Sequence, residues 1–386
     1  MRVTSTDEVS KVVSFATKRY IPFVVQAGGH STSGSSSTYG GIVISLDRMC
    51  KVLVDPASKT VAVQGGAKWE DVDNAADQHG LAVVGATANH LGVGGTTLGG
   101  GYGWLTGRYG LIIDNLLSVK MVLADGRIVM ASDTENSNLF WAIRGAGQEF
   151  GVVTEFVFKA HPQKHPVFAG LLYFTADKLP KVVEFANRFE ELADRDQGLF
   201  FGFTGPPLME TSVVLATVFY NGRRAEAEKF FEPLLSLNPV VNHTDMVPYP
   251  SANTIINKPA AFGGRKRFGG TNITLPLDVK FIQEIYDEFD LIMKTYAEVG
   301  ESVLAFELLP HAQVTKVSNN ATAYANRGRY YNVGSIFCWH DAALDARMHT
   351  LQQSMLDKIR DRAGIPTGRE GEGVGVYANY AGMSLL

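Results

Sequence analysis

The sequence predicts an α+β protein of two domains, and three observations carry that prediction. At 386 residues the chain exceeds the length at which one hydrophobic core usually keeps growing. Residues 1–163 are rich in glycine and in short β-branched runs closed by turn residues. From Val167 the texture changes to strand, helix, strand, strand, helix, the order of an antiparallel sheet backed by helices. The first domain therefore spans 1–163 and the second 164–365.

Each element has a local reason. Ser5-Thr6-Asp7-Glu8 has the form of a capping box and opens a helix with Val9, Val12, Val13 and Ala16 on one face. "IPFVVQAGG" and "GIVISLD" read as strands, and "TVAVQGGA" alternates as a half-buried strand should. "KWEDVDNAADQHG" carries apolar residues at helical spacing and stops on Gly80 as its C-cap. Ala124-Asp125-Gly126 supplies the turn of a hairpin in "LLSVKMVLADGRIVMAS". In the second domain "FAGLLYFTA", "GLFFGFTG" and "ETSVVLATVFY" read as strands, and "KLPKVVEFANRFEELA" and "AEAEKFFEPLLSL" as helices. Phe281, Ile285, Phe289, Ile292 and Tyr296 form the apolar stripe of a helix that stops at Gly300. Strands "SVLAFELLP" and "RYYNVGSIFCW" complete the sheet, covered by a helix from about Asp341 to Arg362.

Composition excludes several function classes. A formal charge of −4, with Lys and Arg scattered, leaves no electrostatic footprint for nucleic acid. The basic run Arg265-Lys266-Arg267 reads as a solvated loop. Apolar runs fall short of the roughly 20 residues a membrane span needs, so no membrane partner is expected. Cys50 and Cys338 lie in apolar, strand-like segments and read as buried free thiols. The start of the chain lacks a signal-peptide pattern, and the compartment stays open. Pro162 between His161 and His165 blocks the helical pairing of a metal site, so no metal is expected. Neither a P-loop nor a G-x-S-x-G elbow is present, and "GVGGTTLGGGYG" misses the G-x-G-x-x-G register, which disfavours a Rossmann domain.

Two glycine-rich loops remain, Gly28 to Gly34 and Gly92 to Gly103. Successive backbone N–H groups in such turns make concave nests for anions, and a pyrophosphate suits them. A pair of structural turns is the alternative. The crowding of Gly99, Gly100, Gly101 and Gly103 favours a ligand, because that much lost backbone entropy destabilises a fold unless something approaches closely.

The residues also carry a resemblance. "QAGGHSTSGSSSTYGGIVISLDRM", "GLAVVGATANHLGVGGTTLGGGYGWLTGRYGLIIDN", "VLADGRIVMASDTENSNLFWAIRGAGQEFGVVTEFVF" and the late "VYANY" follow one another as in FAD-linked oxidases of the berberine-bridge-enzyme-like group. That group belongs to the vanillyl-alcohol-oxidase and p-cresol-methylhydroxylase (PCMH) superfamily. The resemblance implies a two-domain PCMH-type FAD-binding fold with FAD bonded covalently to His30. It implies that the backbone of Gln26, Ala27, Gly28, Gly29, His30, Ser31 and Gly34 holds the pyrophosphate. Gly94, Gly95, Gly99 and Gly103 are expected along the rest of the cofactor, with Val153 touching it through its backbone. Ala88 stands where some relatives carry a second tethering cysteine, so single attachment is expected. Leu91, at the flavin face where dioxygen reacts, is larger than the valine often found there.

For the chemistry, the resemblance makes Tyr377 the base and has Asn379 bond the cofactor. It puts Asn332 and Gly334 in the substrate pocket; Glu307 of "LAFELL" and Tyr331 are weaker catalytic candidates and read first as structural. Residues 366–386 are expected to return to the first domain and to stop short of a further helix and a "YDP" type segment. The implied activity is hydride transfer from an alcohol, sugar or secondary-metabolite substrate to FAD, with O2 or another electron acceptor. A dehydrogenase or oxidative cyclase of the same fold, or a catalytically idle binding homologue, is the alternative.

Overall fold

Ser5 opens helix α1 (Thr6–Lys18) by accepting a hydrogen bond from the Glu8 amide at 3.3 Å. The Glu8 carboxylate turns back one residue further than a capping box requires, to the Thr4 amide at 2.8 Å. The face of Val9, Val12 and Val13 packs on Ile44, Leu46, Val122 and Val152. This computed structural model describes residues 1–205, 211–296, 299, 301–363 and 377–380. They fall into two units: residues 1–164 with 316–327, and 165–315 with the described residues from Gly328 onward.

In the first unit, β1 (Phe23–Gln26) and β2 (Ile42–Ser45) pair in parallel. Parallel strands need a long connection. Here it is residues 27–41, the first glycine loop. Strands β3 (Val52–Asp55) and β4 (Thr60–Gln64) form a hairpin, helix α2 (Trp69–Asp77) follows, and β5 (Leu81–Ala82) leads to the second glycine loop with its short helix α3 (Val93–Leu98). Helix α4 (Thr106–Tyr109), strands β6 (Leu116–Val122) and β7 (Ile128–Ser132), helix α5 (Ser137–Ala146) and strands β8 (Val152–Lys159) and β9 (His161–Pro162) complete it. The main sheet is antiparallel, in the order β3-β4-β8-β6-β7. The β6–β7 turn carries Gly126 at φ +85°.

His161 is fixed by its neighbours. Asn115 donates through Nδ2 to the Tyr109 and Leu111 carbonyls, so its Oδ1 faces His161 Nε2, which donates at 2.7 Å. The Tyr109 ring stacks on the imidazole, centroids 3.6 Å apart. Burial, with a smaller contribution from Lys159, pulls the imidazole down to about 4 from 6.5. The folded state thus resists a proton that the unfolded chain accepts. Stability is expected to fall between pH 6.5 and about 4, by at most about 1.4 kcal/mol per pH unit, the limit for one proton. Urea denaturation at several pH values should show this slope reduced in His161→Gln, which keeps a donor but not the titration. An unchanged slope would contradict the assignment.

The second unit is built on β10 (Val167–Phe174), β11 (Gln197–Thr204), β12 (Val213–Tyr220), β13 (Val241–Asn242), β14 (Asp245–Val247), β15 (Arg265–Ile273), β16 (Val303–Leu308) and β17 (Tyr331–Trp339). They form one antiparallel sheet in the order β13-β10-β12-β11-β16-β17-β15, with β14 also on β10. Helices α6 (Leu179–Asn187), α7 (Phe189–Leu192), α8 (Arg224–Leu235), α9 (Tyr249–Ala252), α10 (Val279–Thr295) and α11 (Asp345–Ala363) accompany it. The core lies between one sheet face and α6, α8, α10 and α11, filled by Phe201, Phe203, Phe231, Phe289, Phe306 and Phe337 among others.

The structure corrects several expectations. Arg265-Lys266-Arg267 begins β15, and Arg267 is buried, donating to the His349 carbonyl and to Gln353. A strand beside β17 needs its backbone paired, which outweighs the local charge. Cys50 is exposed and precedes β3, whereas Cys338 is buried in β17. Helix α10 ends at Thr295 and buries Ile282, Ile285, Tyr286, Phe289, Ile292 and Met293; Phe281 and Tyr296 are only partly buried. Gly300, the expected stop, lies outside the described residues, as do 366–376 and 381–386. Residues 316–327 group with the first unit, while 377–380 group with the second, where Tyr380 meets Glu307.

Candidate active site

The first unit brings its two glycine loops together backbone to backbone. A Cβ on Gly28 would lie 2.5 Å from the Gly92 amide nitrogen, so neither position admits a side chain without parting the loops. The second loop is anchored to the start of α2: Trp69 N–H donates to the Leu91 carbonyl at 3.1 Å, and Glu70 N–H to the Asn89 carbonyl at 2.7 Å. This crossing carries His30 to His90, with ring centroids 4.7 Å apart. His30 Nε2 stands 3.1 Å from the His90 carbonyl and 3.2 Å from His90 Nδ1. Ser31, which accepts from Ser35 at 2.8 Å, continues the loop.

The loops also show where the protein's own packing does not explain glycine. Gly94 is tight, its Cβ position 3.0 Å from the Gly65 carbonyl, and Gly103 lies against the Gly85 backbone. Gly95 is different: it is exposed, and a Cβ there would meet nothing within 4 Å among the described residues. Gly34, at φ +86°, is equally open. A cradle tight at its base and bare along its rim fits an extended ligand such as FAD. Val153 is buried in β8 beside Gly65, Leu91 is half-buried, and Gly99 caps α3.

The second unit offers a polar cluster. Tyr331, Val333, Phe337 and Trp339 of β17 point into the helix-covered core, so Asn332 and Gly334 stand on the opposite face. Leu304, Phe306 and Leu308 do likewise in β16, which turns Glu307 to that same opposite face, in register with Asn332. Asn332 Oδ1 accepts from Asn272 Nδ2 at 2.8 Å. The Tyr380 hydroxyl donates to both Glu307 carboxylate oxygens, at 2.9 and 3.0 Å. A Cβ on Gly334 would lie 3.0 Å from Glu307 Oε1, and one on Gly270 2.7 Å from the Tyr380 ring, so the two glycines make the space this pair occupies. The Tyr380 ring sits edge-on to Phe268 and to Tyr377, at 4.4 and 4.9 Å. Tyr377 is buried, and its hydroxyl accepts from Asn379 Nδ2 at 2.7 Å.

Sequence reasoning missed Tyr380, Asn272 and His90 and took Glu307 as structural. The closing tyrosine of "YANY" was the available signal for Tyr380. Asn272 sat behind the basic run read as a loop, and nothing in the pattern distinguished His90 from its neighbours. Among the described residues no cluster of His, Cys, Asp or Glu could hold a metal ion, and no helix is long and apolar enough to cross a membrane.

A glycine cradle in a mixed unit, followed by a helix-backed antiparallel sheet, is the two-domain PCMH-type architecture of FAD-binding oxidases. Residues 1–132 match the FAD binding domain family. The FAD-linked oxidoreductase pgmH of Aspergillus terreus is 36% identical over 369 residues, covering 93% of this chain and 74% of that protein. The crystal structure of 6-hydroxy-D-nicotine oxidase from Arthrobacter nicotinovorans is similar over 100% of this chain and 83% of that one, with a TM-score of 0.80 and 25% identity. Berberine-bridge-enzyme-like 1 of Physcomitrella patens shares the fold at a TM-score of 0.83 and 21% identity, over 100% and 83% of the chains. The chain belongs to the FAD-linked oxidoreductases and is an FAD-dependent enzyme.

Proposed function

We propose that this enzyme oxidises a small alcohol, sugar or secondary-metabolite hydroxyl, using FAD tethered to His30. Gln26 to Ser31, Gly34 and the second loop hold the cofactor, with Val153 and Asn379 as further contacts. Bound FAD would supply the acceptor for the hydride of the substrate carbon. The protein must move the proton. The observation that carries this reading is the Tyr380 hydroxyl donating into the Glu307 carboxylate. As the substrate O–H gives its proton to Tyr380 Oη, Tyr380 gives its own to Glu307, so no free tyrosinate has to form. Tyr377, the base that the resemblance implies, holds a bond from Asn379 and packs on Tyr380; we assign it to positioning that ring. Asn332, aligned with Glu307 and bonded to Asn272, is assigned to orienting the substrate.

Dioxygen is the proposed final acceptor. Bulky Leu91 supports the competing reading of a dehydrogenase, which slow reoxidation of the reduced flavin in air would favour. The main test is direct: purified protein should be yellow, and after acid precipitation the colour should stay with the polypeptide, whereas His30→Ala should release it. Colourless protein overturns the cofactor assignment. Flavin released from the wild-type protein overturns the tether alone.

A further inference from the structure

We propose that His90 is a positioning residue for flavin attachment, selecting the tautomer of His30 and receiving its proton; the inference rests on the covalent reading above. A carbonyl oxygen only accepts hydrogen bonds. The 3.1 Å contact of His30 Nε2 with the His90 carbonyl therefore makes Nε2 the N–H of that ring. The lone pair then lies on Nδ1. The same N–H faces His90 Nδ1 at 3.2 Å, which must act as the acceptor in that contact.

The placement is built into the backbone. His90 lies between two residues, Asn89 and Leu91, whose carbonyls accept from Glu70 and Trp69 at the start of α2. Two residues on, Gly92 lies against Gly28, two residues before His30. Neither ring depends on a surface rotamer to find the other.

Attachment forms one bond, from His30 Nδ1 to the methyl carbon on the flavin's benzenoid ring. It breaks a C–H bond of that methyl and the Nε2–H bond of His30. The methyl proton goes to solvent and the Nε2 proton to His90 Nδ1. The electron pair of the C–H bond stays on the ring system, which is reduced by two electrons until dioxygen takes two electrons and two protons from it. Without an acceptor at Nε2, bonding at Nδ1 would leave a positive charge on His30 in a half-buried site.

The test uses protein produced in riboflavin-starved cells and mixed with FAD in air. Flavin binding is followed by fluorescence quenching, and flavin retained after acid denaturation by absorbance and mass. Wild-type protein should retain its flavin. His90→Ala should bind FAD but attach it at least tenfold more slowly. His90→Gln, whose amide oxygen can accept from Nε2, should attach faster than the alanine variant, and imidazole in the buffer should restore attachment to His90→Ala. Attachment by His90→Ala at the wild-type rate overturns the proposal. So does a slow His90→Ala that neither imidazole nor the glutamine variant improves, since a purely structural role predicts that result. Wild-type protein that releases all its flavin overturns the covalent reading as well, and is seen before any variant is compared.

Discussion

Glu307→Gln is expected to lower kcat by roughly 10²–10⁴-fold, the range spanned by loss of a general base, with flavin still bound. The glutamine keeps the shape of the side chain and can accept a hydrogen bond from Tyr380, but its amide is not a base at neutral pH. Tyr380→Phe should have an effect of similar size, because it removes the only atom of that residue placed on the carboxylate. If the two act as one relay, the double variant should be little worse than either single one, since groups that act as a unit lose their function once. The measurement is the anaerobic rate of flavin reduction by an alcohol that the wild-type enzyme turns over. Effects below about threefold, or single losses that multiply, would remove the pair from the chemistry. A rise in KM at constant kcat would instead assign Glu307 to substrate binding.

What could be read beforehand followed from how local the cause was. Helix α1 and the Gly126 turn depend on neighbours in sequence and stand as expected, whereas α2 ends at Asp77 with Gln78 as its C-cap, and Gly80 closes the turn that follows at φ +63°. The face of β17 that carries Asn332 was an expectation from the resemblance alone, since alternation does not say which face is covered until α11 and the neighbouring strands bury Val333 and Phe337. Strand β15 was not legible, because its reason to be a strand is the edge of β17, far along the chain. Glu307 was undervalued for a similar reason: its partner Tyr380 lies 73 residues away. The two histidines tell the same story at the cradle. His30 announces itself after a glycine pair and before a run of small hydroxyl residues, but His90 gains meaning only when Gly28 and Gly92 meet.

Asp114→Ala is expected to destabilise the protein by about 3–5 kcal/mol, the cost of leaving one partner of a buried ion pair without the other. Arg327 and Asp114 have side chains only 1% and 9% exposed, and the guanidinium forks onto both carboxylate oxygens at 2.6 and 3.0 Å. Asp114 also accepts from the Leu111 amide at 2.9 Å, and the Ile112 and Ile113 amides that follow donate to Gly101 and Gly100 of the second glycine loop. Arg327 in turn ends the segment 316–327, whose Tyr324 ring is so close to Gly100 that a Cβ there would collide with it. The pair therefore ties that segment to the loop expected to line the cofactor. Burying two charges is costly in itself, so Asp114→Ala combined with Arg327→Met should recover much of the loss, which a simple cavity would not. Urea denaturation of the three variants, each with and without FAD, separates the cases. A loss below about 1 kcal/mol in Asp114→Ala, in the range of an exposed pair, would mean that the ion pair does not hold the segment in place.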